Sequence, residues 1–119
     1  MIPDKLVEYL EQSIGQEALV VFGWVKGIKD FVKPVVSITT YNYWPNHANL
    51  NVWANTIESR DKITQLLVDA LEEVKELGVS IESIQTIDFE ERGVLQPGSW
   101  KVIKNSKPIF RKNVEVKLF

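Results

Sequence analysis

Residues with catalytic or metal-binding chemistry are few in this chain of 119 residues. It contains no cysteine and a single histidine, His47, and one imidazole cannot hold a metal ion without several partners. Carboxylate pairs such as Glu72 with Glu76, or Glu90 with Glu91, are able in principle to do acid–base work or to bind a divalent ion. Their pattern places them on an exposed helix face and in a loop. We therefore expect no catalytic residue, no cofactor and no metal.

The common catalytic motifs are missing as well. The sequence has no nucleophile elbow, no phosphate-binding glycine loop and no helix with paired histidines. An acid–base enzyme therefore stays only as a third alternative, behind two kinds of protein-binding function.

Length and composition indicate one domain spanning residues 1–119, with 45% hydrophobic residues to build its core. The net charge of −2 argues against a general nucleic-acid binder, which would carry a basic excess. Asp4 and Glu8 stand where a signal peptide would be basic and then apolar, and no apolar run approaches the roughly 20 residues of a membrane span. These features predict a soluble, unexported protein without membrane contact.

The charges are unevenly distributed along the chain. Residues 58–92 contain ten acidic and four basic side chains, whereas residues 93–119 contain one acidic and six basic side chains. Opposite charges on two segments favour either head-to-tail contact between subunits or neutralisation inside one subunit, and the sequence leaves both open.

Hydrophobic periodicity predicts the helices. The first covers residues 3–14, with Pro3 in its first turn. The second is capped by Thr56 or Ser59 and stops at Gly78. Its apolar stripe comprises Ile63, Leu66, Leu67, Ala70, Leu71, Val74 and Leu77.

Strands are predicted from β-branched and aromatic residues at residues 18–25, 34–43, 50–54 and 81–89, with a loop at 90–99. Residues 100–103 and 109–119 look like a closing hairpin. The last strand places Phe110, Val114, Val116 and Leu118 on one face and Arg111, Asn113, Glu115 and Lys117 on the other, while Lys112 interrupts the inner row. The pattern predicts an α+β fold: a mixed, mainly antiparallel β-sheet with two helices packed on one side.

Residues 42–49 have the proline and asparagines of a hairpin connection, which would put Trp44 at an exposed tip beside Tyr41 and Tyr43. Large apolar side chains at such a tip favour a partner contact. For Trp53, core packing and an outward-facing role both remain open, because it alternates with Val52 and Ala54 along its strand.

Two segments carry a resemblance to a known family. Residues 49–56 (NLNVWANT) run straight into the second helix, and residues 109–119 (IFRKNVEVKLF) form an alternating strand that begins with an aromatic residue and arginine. In these segments, and in the order of its elements, the chain resembles the tail terminator or tail completion proteins of tailed bacteriophages. That family typically has a Val-x-Val-Trp type strand entering an amphipathic helix.

The resemblance implies a non-enzymatic virion structural protein with an α+β fold and no cofactor. It implies a ring, commonly a hexamer, at the head-proximal end of the tail tube, where the ring ends tube polymerisation and joins the tail to the head. The implied partners are copies of itself, the tail tube protein and a head completion or connector protein, and the implied location is the virion tail, assembled in the host cytoplasm.

The alternative function is an intracellular binding module or regulator that docks a target through the aromatic hairpin at residues 41–49. The candidate interface residues are Tyr41, Tyr43, Trp44, Trp53, Asp69, Glu72, Glu76, Lys107, Arg111 and Lys112.

Overall fold

The computed structural model describes residues 1–23, 33–41, 44–92 and 108–119, with the backbone alone at residues 44–45, 87–92 and 108. Its elements follow in the order α1 (Pro3–Ile14), β1 (Leu19–Phe22), β2 (Val35–Tyr41), β3 (Trp44–Ala54), α2 (Ile57–Glu73), a 3₁₀ turn (Lys75–Leu77), β4 (Val79–Arg92) and β5 (Pro108–Leu118). The predicted α+β fold is confirmed.

The five strands form one mixed sheet in the order β1-β2-β3-β5-β4. Only β1 and β2 run parallel, and the other three neighbouring pairs are antiparallel, as predicted. The last strand in the sequence, β5, thus lies between β3 and β4. Its predicted hairpin partner, residues 100–103, lies outside the described residues.

Both helices begin where the sequence indicates. Pro3 opens α1, and the Thr56 side chain caps α2 by accepting a hydrogen bond from the Ser59 backbone N–H at 3.0 Å. The α-helix ends at Glu73, earlier than expected, and the 3₁₀ turn then leads to Gly78 at φ +109°. Because the tighter turn changes the helical period, Leu77 leaves the apolar stripe and is 67% exposed, so its predicted place in the core is wrong.

The main core lies between the helices and one face of the sheet. Alternate strand residues belong to the same buried cluster as the helical residues, as the two-residue period of a strand requires. The cluster includes Leu6 and Leu10 of α1, Ile63 and Leu67 of α2, and Val36, Ile38, Leu50, Val52, Val114 and Val116 of the strands. Val114, Val116 and Leu118 of β5 are thus buried as predicted, whereas Phe110, assigned to the same face, is half-buried and does not belong to the cluster.

A second, smaller cluster lies on the opposite face of the sheet. It consists of Val35, Trp53 and Ile109, with Val21 packed against it. On the same face, the Asn113 side-chain amide donates to the Asn51 side-chain oxygen at 3.0 Å across the β3–β5 pair. Both faces of the central strands therefore carry buried side chains.

The turn predicted at residues 42–49 is mostly strand. β3 begins at Trp44, and His47, expected in a loop, lies in β3 opposite Lys117 of β5. Pro45 stands at the start of the strand, where a missing N–H is tolerated. At residues 47–49 the local turn signal is overridden because β5, from the far end of the chain, pairs with them. Residues 90–92 of the predicted loop at 90–99 belong to β4, and residues 93–99 lie outside the described residues.

Candidate subunit interface

The predicted aromatic tip is only partly described. Tyr41 is half-buried at the end of β2, where its backbone pairs with Trp44 across a register shift. Tyr43 lies outside the described residues, and Trp44 is described by its backbone alone, as the first residue of β3. The proposed contact through Trp44 thus stays a prediction.

Trp53 is a core residue of this chain. Its side chain is 3% exposed and packs with Val35 and Ile109. Its indole N–H donates to the Ser37 hydroxyl at 3.1 Å, which satisfies the one polar atom of a buried tryptophan. Of the two readings of Trp53 left open by the sequence, the structure therefore shows core packing.

Arg111 and Lys112 of β5 point to opposite faces of the sheet. Arg111 is opposite Trp53 in register, and its guanidinium lies 5.0 Å from the centroid of the Trp53 ring. The Lys112 ammonium reaches Asp61 in the first turns of α2, with Nζ 3.2 Å from Oδ1. Both cations thus make contacts inside the chain, and for Lys112 this is neutralisation within one subunit. Lys107, the third basic candidate, lies outside the described residues.

The acidic candidates line the solvent side of α2 and the turn after it. Asp69, Glu72 and Glu76 are all exposed. Asp69 accepts a hydrogen bond from Gln65 at 2.9 Å, and Glu72 lies 3.9 Å from the Lys75 ammonium. Contacts of this kind within one helical surface contribute little stability, so these carboxylates remain accessible to a neighbour.

Asp61 joins α2 to β5 electrostatically. The hydrogen bond from the Arg60 guanidinium at 3.0 Å holds the pKa of the Asp61 carboxyl below its usual value. Partial burial opposes this shift, and Lys112 reinforces it. Asp61 is thus shared by two cations, Arg60 of α2 and Lys112 of β5, and links the first turns of α2 to β5.

Replacing Asp61 by Asn should destabilise the fold by no more than about 1 kcal/mol at neutral pH, because the Asp61 side chain is 47% exposed. The pKa of Asp61 is depressed in the folded state, so its stabilisation is present above the ordinary aspartate pKa of about 3.9 and is lost as pH falls through the folded value. Urea unfolding of both proteins from pH 7 down to pH 2 measures this difference.

The gap between wild type and Asp61→Asn should close at the acid end of that series. In a Lys112→Met background the same substitution should cost less, since one of the two cationic partners is gone. A gap that stays constant at every pH would show that Asp61 acts through packing alone.

Exposed apolar side chains form a feature that the sequence reading missed. Leu19 and Phe22 of β1 are 50% and 55% exposed at one edge of the sheet. At the opposite edge, a groove of about 410 Å³ opens between the end of α2 and the start of β4. It is lined by Leu71, Glu72, Lys75, Val79, Ser80, Ile81 and Phe119. The sequence does carry a signal for this exposure: β1 is apolar at four successive positions, so both of its faces present apolar side chains. β1 lies at an edge of the sheet.

The described part of the chain contains no group of three histidine, aspartate or glutamate side chains placed to hold a metal ion. We expect the thermal unfolding midpoint of the whole protein to be unchanged by a chelator, because the sequence offers no thiolate and only one imidazole. A scan with and without EDTA tests this, and a large fall on chelation would reveal a metal site that the residue inventory does not indicate.

None of the helices in the described ranges combines the length and apolar composition that crossing a membrane requires. The chain matches no protein-family model and no curated protein.

Proposed function

We propose that this protein is a structural assembly protein of a tailed bacteriophage, which forms a ring on the head-proximal end of the tail tube. The ring ends tube polymerisation and presents the surface to which the head joins. Its partners are further copies of itself, the tail tube protein and a head completion or connector protein. The ring is most simply a hexamer, which is common in the family that the chain resembles. Its place is the virion tail, after assembly in the host cytoplasm.

The observation that carries this proposal is the position of the two segments on which the resemblance depends. They are far apart in sequence, yet they are adjacent strands: residues 47–54 of β3 pair with residues 110–117 of β5 in eight consecutive positions. Trp53 and Arg111, the aromatic and basic residues that mark the two segments, face each other in that ladder. The resemblance therefore concerns one structural unit at the centre of the sheet.

The site chemistry agrees with an assembly role. The residues that the structure describes offer exposed apolar side chains at one sheet edge and an open groove at the other. They also offer an acidic, solvent-exposed face on α2. Two different patches on one subunit are what a ring needs, because each subunit meets its neighbour through unlike surfaces.

The test is tube growth in the presence of the protein. Tail tube protein encoded in the same genome is polymerised with increasing amounts of the purified chain, and tube lengths are measured by electron microscopy. We expect shorter tubes at higher ratios and extra density at one end only. Tubes that grow to the same length at every ratio and carry bare ends would overturn the proposal.

A further inference from the structure

The two edges of the sheet differ in a way that makes them complementary. At the β1 edge, Leu19 and Phe22 are exposed without a charged residue, a proline or a bulge in the strand, the devices by which proteins usually protect an edge. At the β4 edge, the first three residues pair regularly with β5 before the register shifts between Ile81 and Ser83, where Glu82 is the extra residue. One edge thus presents a short apolar strand, and the other a short regular stretch.

Among the described residues, no strand lies on the outer side of β1. The Leu19 and Gly23 N–H groups donate inward to Pro34 and Ile38 of the β2 side, at 2.8 and 2.7 Å. Because N–H groups alternate in direction along a strand, those of Val20 and Phe22 point away from β2. Within the described ranges they have no backbone partner.

The same reasoning applies to the start of β4. The Phe119 N–H donates to the Gly78 carbonyl at 2.8 Å, which turns the backbone groups of Val79 and Ile81 outward. Three or four residues at each edge are therefore matched in length and in outward-pointing hydrogen-bonding groups.

The side chains fit as well. Phe22 is in register with Ile38, a residue of the main core, so the Phe22 side chain lies on the helix-covered face of the sheet. Val79 and Ile81 lie on that face too, where they line the groove with Leu71. Side chains on one face of adjacent strands are neighbours, so a β1 strand placed beside β4 of another copy puts Phe22 in the groove.

We propose that Phe22 of one copy inserts into the groove between α2 and β4 of a second copy, with β1 of the first extending the sheet of the second. The occupant of the groove is thus another molecule of this chain, bound head to tail. The match of the two edges in length, in outward-pointing backbone groups and in apolar side chains supports this choice of occupant. The inference rests on the proposed function only for closure of the contact into a ring.

The test is self-association of purified variants, measured by sedimentation velocity from micromolar to millimolar concentration. Wild type should associate. Phe22→Asp should raise the dissociation constant at least about tenfold, as removal of a central aromatic contact does. Ile57→Asp is the matched control, because Ile57 is 48% exposed at the first position of α2 and does not line the groove. It should associate as wild type does.

A mixing experiment separates this contact from a symmetric one. Ile81→Lys blocks the groove but leaves Phe22 intact, whereas Phe22→Asp leaves the groove intact. Each variant alone should remain monomeric, and the mixture should form a one-to-one dimer that grows no further, since only one intact pair of surfaces remains. If Ile81→Lys is poorly folded, Phe22→Asp against its control decides the question.

Monomeric wild type at every concentration, or Phe22→Asp that associates normally, would overturn the inference. The proposed function fails separately: a wild type that associates through Phe22 but never caps a tube retains this contact and loses the tail role. A protein that caps tubes equally well with Phe22→Asp keeps the tail role and loses the contact.

Discussion

Replacing Trp53 by Ala lowers the free energy of unfolding by about 3 to 5 kcal/mol, the usual cost of removing a fully buried aromatic side chain. The expectation follows from the 3% exposure of Trp53 and its packing against Val35 and Ile109. The truncation also leaves the Ser37 hydroxyl, itself fully buried, without its indole donor. Equilibrium urea denaturation measures the change.

Trp53→Phe is the informative companion. It keeps most of the apolar volume and loses the hydrogen bond to Ser37, so it should cost less than the alanine variant. A loss below about 1 kcal/mol for Trp53→Ala would mean that Trp53 is not a core residue, and its outward-facing role would then return.

Replacing Gly78 by Ala should also be strongly destabilising, by about 1 to 3 kcal/mol from the backbone conformation alone. Gly78 has φ +109°, which residues with a side chain rarely adopt. A Cβ there would lie 2.7 Å from the Phe119 carbonyl oxygen and 2.9 Å from the Met1 nitrogen, so backbone atoms would have to move as well. Thermal and urea unfolding report the sum of both costs.

Gly23 supplies the matched control, since its φ is +100° and a Cβ there meets no atom of the described residues within 4 Å. Gly23→Ala should carry the conformational cost without the steric one, so it should destabilise less than Gly78→Ala. Equal losses for the two variants would contradict the close approach at Gly78.

The elements with strong local signals were predictable. The apolar spacing and the Thr56 cap located α2, and the alternation in the last strand gave its inner face, including Lys112 as the interruption. Each of these features depends on residues that are close together in the sequence, within one helix or one strand. Local rules therefore sufficed for them.

The arrangement of the strands was not predictable in the same way. The insertion of β5 between β3 and β4 depends on pairing between residues more than 60 positions apart, such as Asn51 with Asn113. The same pairing places residues 47–49, predicted as part of a turn, in a strand. A proline and two asparagines indicate a turn only when no distant strand competes for their backbone.

The candidate site was predicted unevenly for a related reason. Charge patterning correctly indicated an exposed acidic face on α2. It did not show which cation would find a partner within the chain, and Lys112 does so through Asp61. The exposure of Phe22 depends on β1 being an edge strand, which only the sheet order reveals.

Images of tail tube ends assembled with this protein test the account most directly. Class averages from electron cryomicroscopy of tubes polymerised with the wild-type chain should show a closed ring of copies on one end of each tube, and none along its length. Tubes with two bare ends, or with the chain bound along their walls, would contradict a role in ending the tail tube.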